Sequence, residues 1–347
     1  MNGMVSIITP CYNAGKYIER YLNFIIRQSY EKIELIIVND GSTDNTEEII
    51  NSYIKELNGK KIILKYIKQE NKGLGGAVNT GLKLISGEYF TWCDADNFYT
   101  DDYVKTTVEF FEANPQYAVV RCDGYIVMDR DIHSPVQKLA DGNKNKYKED
   151  LFENAIEVKD FHFGCAMVKT SCFDMVNPQR EIYESREGQN WQILLPVFYY
   201  YKSGYIDKPM FYFVFREDSV SNRTAKMPIE KKYAQLNEYK KILTETIHSI
   251  HMYEDKRKYF DMVDVKFLKL EIIAQSNYKN YEKAKYLYKK LKKSSVLSTK
   301  ERIFYNIYDS RIWNKIFKIY KKFQAIVKHK KIKWILLNEA LHIKKKV

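Results

Sequence analysis

The chain has 347 residues, 45% of them hydrophobic and 29% charged, with 57 Lys and Arg against 44 Asp and Glu for a net charge of +13. That length and apolar content predict a globular protein with one sizeable core and a second, smaller unit. The five cysteines are odd in number, scattered and never spaced as CxxC, so neither a disulfide framework nor a zinc cage is suggested, and a reducing cytoplasm fits best.

The first residues, "MNGMVSIITPCYN", carry no basic n-region and no small-residue cleavage site, so the mature chain is expected to begin here, without secretion. "MVSIIT" is a continuous apolar strand, and Tyr17, Ile18, Tyr21, Leu22, Ile25 and Ile26 are spaced for one face of a helix. "IELIIVND" is a second buried strand. After "GST", the helical "DNTEEIINSYIKEL" opens with Asp44 and Glu47 in capping-box order. A third strand, "KIILKYIK", leads into a glycine-rich turn and the helical "AVNTGLKLI"; "EYFTWC" is the fourth. Strands and helices alternating in this way predict a largely parallel sheet with helices on its faces, and ligands in such sheets bind beyond the carboxyl ends of the strands. Those ends read Thr9-Pro10, Asn39-Asp40 and Asp94-Ala95-Asp96.

"NKGLGGAVNTG" invites a dinucleotide reading, since Gly73 and Gly75 make GxG before a helix. The pattern fails at the third glycine, where Val78 stands, and it follows the third strand; the alternative is a tight turn that lets strand and helix pack closely. In "DADN", Asp94 and Asp96 at the end of a strand share one face by the two-residue period. Their oxygens suit a hard cation, Mg²⁺ or Mn²⁺, completed by substrate phosphates; the competing reading is a turn before a helix at Asp102.

After residue 225 nearly everything reads as helix, with no Gly or Pro beyond Pro228. This predicts an α/β domain over 1–225, followed by a helical, basic region at 226–347. No stretch of eighteen apolar residues occurs, so no transmembrane helix is expected. Residues 301–347 hold thirteen Lys or Arg against three acidic residues, with Ile312, Trp313, Ile316, Phe317, Ile319, Tyr320 and Phe323 at helical spacing. Two readings stand: a surface helix packed on the body, or an amphipathic helix drawn to an anionic membrane at about 1 kcal/mol per basic residue. No nucleic-acid-binding motif accompanies the charge.

The strand ending in "TPCYN", the "NDGSTD" turn, the "NKG" segment, the "GEY" strand and the "DAD" motif, in that order, resemble the family 2 glycosyltransferases over about residues 4–225. The resemblance implies the GT-A fold, with a donor-nucleotide half at 1–115 and an acceptor half at 116–225, and an inverting sugar transfer from a nucleotide diphosphate donor, usually UDP-linked. It places Thr9, Pro10 and Tyr12 at the nucleobase, Asp40 hydrogen-bonded to it, and Asn71, Lys72 and Gly73 near the nucleotide. Val78 replaces an arginine common in this helix. Asp94 is implied near the ribose or metal, and Asp96 on the metal, Mn²⁺ or Mg²⁺. Arg216 stands where a histidine commonly faces the metal or diphosphate, and its fixed charge suits diphosphate.

The resemblance departs at the general base. "ESREGQNWQILL" matches the segment in which members carry an acidic pair, but Gln189 and Asn190 occupy those positions, and an amide orients a hydroxyl without accepting its proton. Three readings remain: Glu187 or Glu184 serves as base; Asp160 or His162 does so; or the domain is a non-catalytic nucleotide-sugar-binding pseudoenzyme. The expectation is a cytoplasmic glycosyltransferase, peripheral on the inner face of the cell membrane, acting on a polysaccharide or lipid-linked glycan in surface-polysaccharide synthesis.

Overall fold

The computed structural model describes residues 3–143, 145–157, 165–185, 188–216 and 227–293. Strands β1 (Val5–Cys11) and β2 (Ile33–Asn39) are seven residues each, buried throughout and rich in Ile and Val, as strands covered on both faces must be. They alternate with α1 (Ile18–Ile26), α2 (Thr46–Ser52), α3 (Ile54–Gly59), β3 (Ile63–Lys68), α4 (Gly73–Leu84) and β4 (Tyr89–Trp92). Then follow β5 (Phe98–Tyr99), α5 (Tyr103–Ala113), β6 (Tyr117–Met128), β7 (Gln137–Lys138), α6 (Phe152–Glu157), β8 (Ala166–Lys169), α7 (Thr170–Val176), α8 (Gln189–Tyr200) and β9 (Lys202–Phe215).

Among the described residues the strands form one nine-stranded sheet in the order β3-β2-β1-β4-β8-β6-β9-β5, with β7 on β6. β3, β2, β1 and β4 are mutually parallel, and so are β6 and β9, whereas β8 and β5 run antiparallel to their neighbours. The sheet is thus mostly parallel in its first half and mixed in its second. Ile18, Tyr21, Leu22, Ile25 and Ile26 line the buried face of α1, as their spacing predicts, and join Ile7, Leu35 and Ile37 in the principal core. Each such burial contributes about 1.5–3 kcal/mol.

Three local expectations change. The capping box before α2 does not form: Asp44 accepts from the Gly15 and Thr46 N–H groups, at 2.9 and 3.1 Å, and Glu47 pairs with Lys68. The glycines 73, 75 and 76 lie inside α4 instead of in a turn before it. Finally, β4 ends at Trp92, so Asp94 and Asp96 lie in a turn closed by the Asn97 N–H donating to the Asp94 carbonyl at 3.0 Å. The two-residue strand period therefore does not orient them.

The chain divides into two compact units, residues 1–227 with 237–263, and residues 228–236 with 264 onward. Helices α9 (Ile229–Ser249) and α10 (Arg257–Asn277) each contribute to both. In the second unit, α11 (Tyr281–Lys292) buries Ala284, Leu287, Tyr288 and Leu291 with Val265 and Ile272 of α10. Among the described residues no helix is long and apolar enough to cross a membrane. The basic segment 301–347 lies outside the described residues.

Candidate active site

The site is built at the carboxyl ends of β1, β2 and β4. Cys11 is in register with Asn39 across β1 and β2, and the Cys93 N–H bonds to the Ile8 carbonyl at 3.0 Å, so Tyr12, Asp40 and Asp94 emerge at neighbouring points of one sheet edge. Tyr12 is 53% exposed, leaving its ring available for stacking. Thr9 and Pro10 are buried, and the Thr9 hydroxyl bonds with the Tyr21 hydroxyl inside the core. Burial, and then the carboxylates of Asp44 and Asp40, push the Cys11 thiol up to about 12, which leaves no reactive thiolate at this edge.

Asp40 is buried and accepts three hydrogen bonds: at Oδ1 from Gln69 Nε2 (2.7 Å) and the Lys72 N–H (2.9 Å), and at Oδ2 from the Gly73 N–H (2.8 Å). Its carboxylate thus joins the end of β2 to the start of α4. Gly73 has φ +78°, a left-handed backbone that glycine adopts without a Cβ penalty. Asn71 and Lys72 are exposed beside it, whereas Val78 is fully buried in α4 and belongs to the core.

Gly75 brings a second segment to the site. Its N–H donates to the Ser185 carbonyl at 2.8 Å, and a Cβ at position 75 would stand 2.5 Å from that oxygen. Gly75→Ala is therefore expected to cost about 1–3 kcal/mol despite the better helix propensity of Ala. Denaturant unfolding checks this; an unchanged midpoint would mean that the 183–185 segment shifts aside freely. Exposed Glu184 lies in that segment, while Glu187, Asp160 and His162 fall outside the described residues.

Gln189 opens α8 and is buried, and Asn190 follows it, its Oδ1 accepting from Trp92 Nε1 at 2.7 Å. That bond ties the start of α8 to the end of β4, two residues before Asp94. Gln192 secures the incoming chain, its amide exchanging hydrogen bonds with the backbone N–H and carbonyl of Tyr183 at 2.6 and 3.1 Å.

In the 94–97 turn, burial first and the neighbouring Asp96 second push the Asp94 carboxyl up to about 7, with Arg216 opposing the rise. Arg216, just past β9, forms an ion pair with Asp96, and its guanidinium carbon lies 4.3 Å from the centroid of the Tyr17 ring. Arg20 on α1 donates to the Asp96 backbone carbonyl at 3.2 Å and to Asp129 Oδ1 at 3.0 Å. Asn97 uses its Oδ1 to accept the Val214 N–H of β9 at 2.9 Å. Sequence reasoning missed Tyr17 and Arg20; Tyr17 reads as part of the apolar face of α1, and only its spacing three residues before Arg20 hints at a shared role.

Among the described residues there is no cluster of three or more His, Cys, Asp or Glu side chains of the kind that holds a metal by protein ligands alone. Asp94 and Asp96 nevertheless fit an ion that takes one or two carboxylates and completes its shell with substrate oxygens.

Residues 6–176 match the profile of glycosyl transferase family 2. The chain is 36% identical over 148 residues to an uncharacterized glycosyltransferase of Rickettsia typhi, covering 43% of this chain and 44% of that one. It is 44% identical over 102 residues to glycosyltransferase GlyA of Streptococcus pneumoniae, covering 29% of this chain and 14% of GlyA. The matched stretches thus span less than half the length of these relatives. In structure it resembles S. aureus TarS 1-349 solved with UDP-GlcNAc, with a TM-score of 0.57 and 17% identity over 92% of each chain. It also resembles the mannosyltransferase PcManGT of Pyrobaculum calidifontis solved with GDP-Man and Mn²⁺, with a TM-score of 0.53 and 16% identity over 92% of this chain and 87% of that one. Those likenesses establish the GT-A fold, and the profile match identifies residues 6–176, just under half of the chain, as a region of glycosyl transferase family 2.

Proposed function

We propose that the protein transfers a sugar, with inversion, from a UDP-linked donor to a hydroxyl of a polysaccharide or lipid-linked glycan. The observation that carries this reading is the meeting of an exposed Tyr12 ring, the Asp94–Asp96 turn and Arg216 at one sheet edge. An aromatic face for a base, carboxylates for a hard cation and a guanidinium for phosphate are the groups a nucleotide diphosphate needs. Asp94 and Asp96 would hold Mn²⁺ or Mg²⁺, which when bound supplies charge to offset that of the departing diphosphate. Gln189 and Asn190 orient the acceptor hydroxyl, and Glu187 or Glu184 takes its proton. A lipid-linked acceptor and the basic residues 301–347 together suit a reaction at the inner, anionic face of the cell membrane.

The test is thermal unfolding against UDP, GDP and NAD, each with and without Mn²⁺. A ligand held only by the folded state raises stability by about 2.7 kcal/mol at a hundredfold excess over Kd. UDP with Mn²⁺ is expected to raise the midpoint by several degrees; no response to either nucleoside diphosphate would overturn the reading. The amide pair Gln189-Asn190 motivates a second reading, a donor-binding protein without turnover, which UDP release in the presence of acceptor glycan separates from the first.

A further inference from the structure

The contact between Arg216 and Asp96 bears on how the site fills, provided that the site takes a nucleotide diphosphate donor as proposed. The two side chains are 17% and 22% exposed, so this is not a screened surface pair. The guanidinium packs at once on the Asp96 carboxylate and on the Tyr17 ring. A carboxylate oxygen engaged in this way cannot also bind a divalent cation without bringing two positive groups into contact. The turn itself has other anchors: Arg20 holds the Asp96 carbonyl and Asp129, and Asn97 holds the β9 backbone. The backbone of the turn therefore does not depend on Arg216 to keep its place. A diphosphate offers the planar, forked guanidinium a stronger partner than one carboxylate does.

We propose that Arg216 holds Asp96 while the site is empty and transfers to the donor diphosphate when the nucleotide binds, so that Asp96 is released to a divalent cation only after the nucleotide arrives. Arg216 thereby sets the order of loading. It also keeps the site from binding metal without donor.

The experiment measures Mn²⁺ binding by the loss of its free-ion electron paramagnetic resonance signal, without nucleotide, and UDP binding by calorimetry in EDTA and in Mn²⁺. The full chain and its Arg216→Gln and Arg216→Lys variants are compared. Arg216→Gln is expected to bind Mn²⁺ alone about tenfold more tightly than the parent and UDP in EDTA about tenfold more weakly. Arg216→Lys keeps the charge but loses the fork; it is expected to leave Mn²⁺ binding near the parent value and to weaken UDP. Opposite shifts for two ligands are not what a merely structural residue produces, since misfolding weakens both. Unchanged Mn²⁺ affinity in Arg216→Gln, or unchanged UDP affinity in EDTA, overturns the proposal. Should the parent protein bind UDP under no condition, the donor reading falls and the proposal with it.

Discussion

Replacing Asp94 by Asn is expected to make the protein more stable and nearly inactive. The carboxyl is pushed up to about 7 in the folded protein from 3.8 in an ordinary environment, mainly by desolvation of this half-buried side chain and secondly by Asp96 beside it. Between those two values the folded state keeps a proton that the unfolded state has released, so stability falls as pH rises through that window. Above about pH 7 the full penalty is present; below about pH 4 it is absent. Asn carries no charge to bury, so the variant should lose this decline and gain about 1–3 kcal/mol at pH 8, a few degrees in midpoint. Turnover should fall by about 10²–10³-fold, as when one preorganised charge-stabilising group is removed. Thermal unfolding at pH 4, 6 and 8 and UDP release by both proteins measure the two halves separately. A destabilised variant at pH 8 would mean that the Asp94 oxygens make structural contacts outweighing the cost of their charge.

The second large effect concerns the missing acid at the start of α8. Changing both Glu184 and Glu187 to Gln is expected to lower turnover by about 10²–10⁴-fold, the usual contribution of a general base, with UDP affinity unchanged. Asn190→Asp in that background is expected to restore part of the rate. The reason is the hydrogen bond that Asn190 Oδ1 accepts from Trp92 Nε1: an aspartate oxygen accepts the same bond, and its second oxygen is left able to take a proton. The substitution thus puts a base at the position where a family member is expected to have one, on a side chain already oriented by the end of β4. Full activity in the double Gln variant would remove both glutamates as bases and turn attention to Asp160 and His162.

How far the sequence announced this arrangement differs from residue to residue. The buried strands β1, β2 and β4 were legible because unbroken apolar runs between turn residues have few other uses. Asp94 and Asp96 were legible as a pair, but their placement in a turn depends on the Asn97-to-Asp94 hydrogen bond, which apolar periodicity does not reveal. The start of α4 was misplaced because glycine usually breaks helices; here positions 75 and 76 have no room for a side chain, against Ser185 and Lys72 respectively. Arg20 bonds to Asp129, 109 residues away, and Arg216 to Asp96, 120 residues away. Pairings of that range follow from the folded topology and leave no local pattern to read.

The seat that Asp40 takes at the start of α4 decides what kind of nucleotide pocket this sheet can make. The exposed N–H groups and aligned peptide dipoles at the beginning of a helix ordinarily attract an incoming anion, and many mononucleotide folds rest their phosphates there. Here that place is filled from within: the carboxylate takes the Lys72 and Gly73 N–H groups and brings its own negative charge to the helix end. For the diphosphate donor proposed above, α4 would offer repulsion in place of its usual attraction, which leaves the Arg216 guanidinium as the group that would draw the phosphates. The proposed donor would therefore be steered to the Arg216 side of this edge and not to the glycine-rich segment. One internal anion thus separates this pocket from the dinucleotide sites whose glycine pattern it partly shares.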